Sequence, residues 1–411
     1  MKDADLRRIA AALDGFHIEI PSWGFADTGT RFGKFCQPAA ASTTEEKFHD
    51  AGLVHRLTGA CPTVAVHVLW DFDPAESHDD LLESARATKK LAKQHGIKVG
   101  SINPNVFQDQ HYKLGSFCSP DEKARKAALA HTVDSIHLGK AVGSKVLTMW
   151  LADGTNYPGQ DSIYRRKAEL ETACKRIHKE MEKSWPGSTL LCEYKPFEPG
   201  FYHTDVADWG MAYCFAKAAG KRAKVLVDTG HHLPGCNIEH IVAFLLSENM
   251  LGGFHFNDKK YADDDLTLGS IDPYAMFRIF DQIAQFAFER GAKRLPGVEY
   301  MVDQSHNLKP KLEAMVQTVC EAQKLFAKAQ LVDRKALTVA QRKGDVTAAE
   351  TVLKTAYETD VTPALEAWRN RQKLPRDPLQ ELRRSGVINR LGRERTKARK
   401  ERGEVQSASY A

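Results

Sequence analysis

The 411-residue sequence predicts an α/β fold: a (β/α)8 barrel with a C-terminal helical extension. Three observations carry that reading. Short β-branched or apolar runs alternate with longer helix-like stretches from Phe16 to Asp303. Eight such β-α units in about 290 residues match a single closed barrel. Several of the runs are continuously apolar, as strands covered on both faces must be. The structural rival is a doubly wound open sheet, but it usually carries a Gly-rich first turn, which is missing here.

The strands are expected at 17–21 (His-Ile-Glu-Ile-Pro), 63–70, 97–103 and 144–150, then at 188–195, 223–228, 251–256 and 296–302. Between them, 79–95, 121–142 and 163–184 place apolar residues at helical spacing among Lys, Glu and Arg. Segment 121–142 follows Ser119-Pro120 and opens on Asp121-Glu122, acids where a helix N-terminus favours negative charge. Residues 271–292 form another amphipathic helix, entered through Asp272-Pro273. Beyond strand one lie Pro21-Ser22-Trp23-Gly24-Phe25 and the loop Gly29-Thr30-Arg31-Phe32. Phe48 falls in the long connection that follows, read as a lid or an oligomer contact.

After Asp303 the strand pattern stops. The organisation expected is a catalytic barrel over 1–306, a helical extension over 307–382 and a basic, flexible tail over 383–411. Within the extension, 309–357 is long, polar, helix-forming sequence and 361–382 a further helical piece. No internal repeat or low-complexity block interrupts the chain.

Hydrophobic residues at 42% and charged residues at 27% are ordinary globular usage, so a sizeable core is expected. The N-terminus lacks the apolar core of a secretory signal, and no run approaches the ~18 apolar residues of a spanning helix. Eight dispersed cysteines without a Cys-x-x-Cys pair fit a reducing cytoplasm. The net charge of +5 comes from 383–402, where nine basic residues face two acidic ones. The remainder is slightly acidic, so the excess is read as a solvated tail, with no nucleic-acid or membrane partner.

In such a barrel, chemistry sits at the C-terminal ends of strands. Those ends carry His67 and Trp70, Trp150, Glu193 and Lys195, Asp228 and His231, His255, Asn257 and Asp258, then Asp303, Ser305 and His306. Glu193, Asp228, His255 and Asp303 come from four consecutive strand ends. They make a hard, mostly oxygen shell suited to Mn2+, Mg2+ or Co2+. His231, Asp263 and Asp265 make a second group, since alternate residues of Asp-x-Asp face one way on an extended loop. Asp228, three residues before His231, can bridge the two. Each feature also has a plainer reading. Asp263-Asp264-Asp265 alone reads as a solvated loop, His255 between two Phe as a packed core residue, and Asp303 as a helix cap. Their joint placement is what points to a metal-dependent enzyme. Trp70 and Trp150 are read as walls for the C–H face of a sugar, with Lys195, His67 and Gln304 or Asn257 bonding hydroxyls.

These residues resemble bacterial L-rhamnose isomerase, the branch of broad aldose–ketose specificity within the xylose-isomerase-like TIM barrels. The carrying segments are Pro21-Ser22-Trp23-Gly24, Gly29-Thr30-Arg31-Phe32, Trp150 with Asp153-Gly154, Pro158-Gly159-Gln160 and Glu193-Tyr194-Lys195. With them go Val227-Asp228-Thr229-Gly230-His231-His232, Gly253 to Asp258, Tyr261 to Asp265 and Val302 to Asn307. The resemblance spans nearly all of the barrel and continues into the helices after it.

It implies a metal-dependent intramolecular oxidoreductase that interconverts an aldose and a ketose by a 1,2-hydride shift. L-Rhamnose and L-rhamnulose are the first-choice pair, with L-mannose, L-lyxose and D-allose as further substrates. It also implies a homotetramer with two divalent ions per subunit, Mn2+ favoured over Co2+ or Mg2+. The structural ion falls to Glu193, Asp228, His255 and Asp303, the catalytic ion to His231, Asp263 and Asp265. Lys195, Asp303, His67 and Ser305 are the expected catalytic residues; Trp70, Trp150, His67, Lys195 and Phe48 are the expected substrate contacts. Two positions depart from the pattern: Tyr194 stands where His is expected and Thr229 where an apolar residue is, departures read as bearing on substrate preference. The alternative is a two-metal barrel hydrolase of the apurinic endonuclease type, which uses similar shells.

Overall fold

A computed structural model describes residues 2–30, 33–75, 77–198 and 202–404. Arg31 and Phe32 of the first loop, and 405–411 of the tail, lie outside the described residues. The sheet runs β1 (Ile20–Pro21), β2 (Thr63–His67), β3 (Lys98–Asn103), β4 (Val146–Trp150), β5 (Thr189–Glu193), β6 (Ala223–Asp228), β7 (Leu251–Phe256) and β8 (Glu299–Val302), all parallel and paired in chain order. Glu19 closes the ring against Met301, donating from its N–H to the Tyr300 carbonyl at 2.8 Å and accepting from Val302 at 2.8 Å. The (β/α)8 barrel is therefore as expected.

Two strands end earlier than their apolar runs suggest, because side-chain and backbone bonds turn the chain out of the sheet. Asp71 accepts from the His67 N–H at 3.1 Å, and residues 68–71 form one helical turn that lifts Trp70 over the barrel mouth. At β5 the Lys195 N–H leaves the ladder for the Val206 carbonyl at 3.1 Å.

The helices are α1 (Asp3–Asp14), ahead of the barrel, then α2 (Thr44–Thr58), α3 (His78–Gln94), α4 (Glu122–Val142), α5 (Ile163–Ser184), α6 (Trp209–Ala219), α7 (Ile238–Ser247), α8 (Pro273–Glu289) and α9 (Lys311–Ala329). Most begin at a side-chain cap: Thr43, Ser77, Asp121, Ser162, Asp208, Asn237 and Asp272 each accept from the first turn. The long connection after β1 contains α2, and Phe48 on it is fully buried in the core. Phe48 is not an exposed lid residue: it lies on α2 within the hydrophobic core and is absent from the cavity lining. Helix α9 packs on α8 and α2 and completes the helical ring, so the barrel extends past 306.

Beyond it come α10 (Arg334–Arg342), α11 (Val346–Glu358), α12 (Thr362–Arg371), α13 (Pro378–Arg384) and α14 (Val387–Glu401). The stretch 309–357 is thus three helices, split where Asp333 and Asp345 cap new ones. The basic run is not a solvated tail: within α14, Arg395 and Arg399 are buried, and Arg395 pairs with Asp50 of α2. No helix among the described residues is long and apolar enough to cross a membrane.

The β7 sequence decides which way its histidine points. Phe254 and Phe256 stack at 4.7 Å and pack with Phe280 and Tyr300. Strand alternation then turns His255 to the barrel interior. Pairing register sets Asp228 level with His255 and Trp150 level with Glu193.

Candidate metal centre and sugar pocket

At the C-terminal mouth, Glu193, Asp228, His255 and Asp303 bring one ligand atom each within 4.8 Å of one another. The His255 Nδ1 lies 3.1 Å from Glu193 Oε1, 3.5 Å from Asp303 Oδ2 and 3.9 Å from Asp228 Oδ2. One ring N–H cannot satisfy three carboxylates, and burying them without a counter-charge is costly, so this donor set fits a hard divalent cation. Asp228 Oδ1 is held by the Gly230 N–H at 2.6 Å and the Asn257 amide at 3.1 Å, while Oδ2, with a longer 3.3 Å bond from the same amide, faces the cluster. That oxygen is 3.9 Å from His255 Nδ1 and 3.9 Å from His231 Nε2, between the two groups.

The second group assembles around His231. Its Nδ1 donates to the Tyr194 carbonyl at 3.0 Å, which leaves Nε2 facing Asp263 Oδ1 at 3.2 Å. Lys195 Nζ binds the other Asp263 oxygen at 2.6 Å and sits 5.0 Å from the centre of the Trp150 ring. Asp265 takes a left-handed backbone, φ 49°, and accepts from Ser305 Oγ at 2.9 Å. Asp264 turns away, accepting from the Lys260 and Tyr261 N–H groups at 2.6 and 2.8 Å, so the triplet alternates.

Charge crowding shifts the pKa values of these groups. Burial opposes the charge on both histidines. Asp228, Asp263 and Glu193 nevertheless raise the His231 pKa to about 10, and Glu193, Asp303 and Asp228 raise His255 to about 9. Burial, with Glu193 and Asp303, lifts Asp228 to about 7. A histidine pKa raised on folding adds stability that is fully present below 6.5 and is lost as pH climbs through about 9 to 10. A metal ion must displace the same protons, so its affinity moves the opposite way. Mn2+ titrations of chelator-treated protein are expected to show affinity rising at least about tenfold per pH unit from about pH 6.5 to 8.5. A flat profile would contradict the role of the two imidazoles as ligands.

Above these groups lies a cavity of about 230 Å3, walled by Trp23, His67, Trp70, Phe107 and Trp150 and floored by Glu193, Lys195, His255, Asp263, Asp265 and Asp303. Successive rings touch: His67–Trp70 centroids are 4.1 Å apart and Phe107–Trp150 4.7 Å. Burial lowers the His67 pKa to about 3, so its ring is neutral. Among the described residues lining the cavity, His67 Nδ1, Thr148 Oγ1, Trp150 Nε1 and His255 Nε2 are buried polar atoms with no protein partner. Donors and acceptors beside aromatic faces suit a small polyhydroxylated molecule.

Most strand-end residues thus converge on one place, with corrections. Phe48 does not line the cavity. Ser305 steadies Asp265 and does not line the cavity. Gln304 is buried against Thr318, and Asn257 braces Asp228 and the Asp303 carbonyl from behind, so neither is a hydroxyl ligand. The departures Tyr194 and Thr229 also lie behind the carboxylate–histidine cluster: Tyr194 bonds His232 at 2.6 Å and Thr229 the Asn257 carbonyl at 2.9 Å. Trp23, which the sequence shows only as part of a loop, donates from its indole to Asp303 Oδ1 at 2.8 Å. Asn103, Phe107 and Thr148 were missed; Asn103 ends β3 and Thr148 shares the face of Trp150, signals the strand-end rule contains.

Gly230 is where the backbone must come close. A Cβ there would meet Asn257 Oδ1 at 2.6 Å. Gly230→Ala is expected to cost about 1–3 kcal/mol of stability and to weaken metal binding by moving Asn257 off Asp228. Thermal unfolding with and without Mn2+ reads both effects.

The fold and its carboxylate–histidine centre place the chain in a defined class. Residues 64–288, more than half of it, match the family described as "Xylose isomerase-like TIM barrel", and the chain belongs to that family. It is 37% identical over 396 residues to a "probable sugar isomerase" of Rhizobium meliloti (strain 1021), covering 95% of this chain and 89% of that one. It is 39% identical over 393 residues to another so named from Mesorhizobium japonicum (strain LMG 29417 / CECT 9101 / MAFF 303099), covering 94% and 88%. In fold it is similar to D-allulose 3-epimerase from Methylomonas sp., with a TM-score of 0.53 at 13% identity over 75% of this chain and 98% of that one. These names do not favour the hydrolase alternative.

Proposed function

We propose that the protein is a divalent-metal-dependent aldose–ketose isomerase, with L-rhamnose and L-rhamnulose as its first pair. The observation that carries this is the stacking of the two halves of the site: a carboxylate–histidine shell directly beneath an aromatic cavity with unpartnered polar atoms. Kinship with proteins named sugar isomerases supports it; the choice of L-rhamnose, with L-mannose, L-lyxose and D-allose behind it, rests on the motif resemblance. Glu193, Asp228, His255 and Asp303 would hold a structural ion, and His231, Asp263 and Asp265, with Asp228, a catalytic one.

Bound ions would supply Lewis acidity at the sugar's O1 and O2, favouring hydrogen transfer between C1 and C2. Mn2+ is favoured, with Co2+ and Mg2+ as alternatives for the same hard shell. The chain's own groups do the rest. Trp70 and Trp150 flank the apolar face of the sugar, and Trp23 steadies Asp303. The Lys195 ammonium, held by Asp263, stands where negative charge develops on the sugar oxygens. The aromatic wall limits water at the reacting carbons. A homotetramer in the cytoplasm belongs to the same reading, the first from the resemblance and the second from cysteine usage.

The test is a ketose assay across L-rhamnose, L-mannose, L-lyxose and D-allose on chelator-treated protein, with metals returned one at a time. L-Rhamnose with Mn2+ is expected to give the highest kcat/KM. Activity confined to another aldose would overturn the substrate, and no ketose with any metal would overturn the function.

A further inference from the structure

Two buried ion pairs, Arg395–Asp50 and Lys47–Asp71, form a chain from the C-terminal helix to the aromatic wall, joined to each other by one turn of the α2 backbone. We propose that it is a positioning device in which Lys47 and Asp71, anchored through Asp50 and Arg395, hold Trp23, His67 and Trp70 in place for the sugar. Its outer end is Arg395 on α14, whose guanidinium grips both Asp50 oxygens at 2.7 and 2.8 Å, with both side chains almost fully buried. Arg395 also donates to the Ala39 and Glu46 carbonyls, and Arg399 to those of Pro38 and Ala40, so α14 clamps the entry into α2. Lys47 stands one turn before Asp50 on α2. Its ammonium, also buried, donates to Asp71 Oδ1 at 2.8 Å and to the Trp70 carbonyl at 3.1 Å.

Asp71 distributes the effect. Its Oδ2 accepts from Ser22 Oγ at 2.6 Å and from the His67 N–H at 3.1 Å. One carboxylate thus fixes the residue before Trp23 and the backbone of His67, and through Lys47 the carbonyl of Trp70. The three rings lie in contact, Trp23–His67 at 4.7 Å and His67–Trp70 at 4.1 Å, and all line the cavity. The chain reaches the carboxylate cluster through one bond, from the Trp23 indole to Asp303.

A buried ion pair is a weak way to add stability, because desolvation offsets the attraction; setting one geometry is its better attested use. Without Lys47, Asp71 is left as an unpaired buried charge. It must turn toward water and release Ser22 and His67.

The inference rests on the sugar-isomerase reading for its kinetic readout but not for its spectroscopic one. Lys47→Met is expected to raise KM for L-rhamnose about tenfold or more while kcat and Mn2+ affinity change less than about threefold, the loss of one or two hydrogen bonds' worth of binding. Lys47→Arg is expected to recover most of the affinity. In protein labelled with 5-fluorotryptophan, the 19F resonances of Trp23 and Trp70 should shift while those of Trp185, Trp209 and Trp368 stay. If Lys47→Met does not fold, Lys47→Met/Asp71→Asn removes both charges together and carries the same measurements. A lowered Tm with unmoved Trp23 and Trp70 resonances and unchanged KM would show a merely structural pair and overturn the proposal. If the parent isomerises no sugar with any metal, the proposed function fails, and the fluorine resonances alone decide the network.

Discussion

Asp228→Asn is expected to lower kcat/KM by about four orders of magnitude or more while leaving the metal-free fold intact. Asp228 Oδ2 lies between His255 Nδ1 and His231 Nε2, so its charge serves both groups of ligands at once. Asparagine keeps the shape, and its carbonyl still accepts from Gly230, but the shared anion is gone. In the metal-free protein two effects oppose each other: the amide removes a buried charge whose pKa burial, with Glu193 and Asp303, raises to about 7, but it also removes a counter-charge of His231 and His255. The decisive readout is therefore the metal response: at about pH 8, Mn2+ should no longer raise the Tm of the variant. A variant that keeps both its Mn2+-induced rise in Tm and its turnover would remove Asp228 from the site.

Lys195→Met is expected to separate catalysis from metal binding. The ammonium holds Asp263 Oδ2 at 2.6 Å and projects into the cavity beside Trp150. Losing a fixed cation where charge develops costs about 10²–10³ in kcat at comparable sites. Metal affinity should hold or rise, because Asp263 keeps its charge and loses a competitor for one oxygen. The pair of variants thus makes opposite demands on one calorimetric titration: no Mn2+ binding at the shared position in Asp228→Asn, near-parental binding in Lys195→Met. Parental kcat in Lys195→Met would leave that lysine a structural partner of Asp263.

The clustering of the carboxylates and His255 was legible in the sequence because it follows from periodicity. Once eight parallel strands are recognised, their last residues share one mouth, and Glu193, Asp228, His255 and Asp303 fall there without knowledge of any loop. Residues placed by long-range partners were not legible. The basic run reads locally as solvated charge, yet its Arg395 is neutralised by Asp50, 345 residues earlier. Phe48 reads as a loop aromatic until Thr43 is seen to cap a helix under it. Ser305 stands at a strand end among the expected catalytic residues, but its hydroxyl is committed to Asp265. Trp23 joins the site through Asp303, 280 residues away, a bond that no local pattern encodes.

The most direct test follows label and metal together. Chelator-treated protein is incubated with L-rhamnose carrying deuterium at C2, with and without Mn2+, and the product is analysed by mass spectrometry. L-Rhamnulose is expected only in the presence of metal, with the deuterium retained at C1. No ketose under either condition, or the same yield with and without metal, would contradict this expectation.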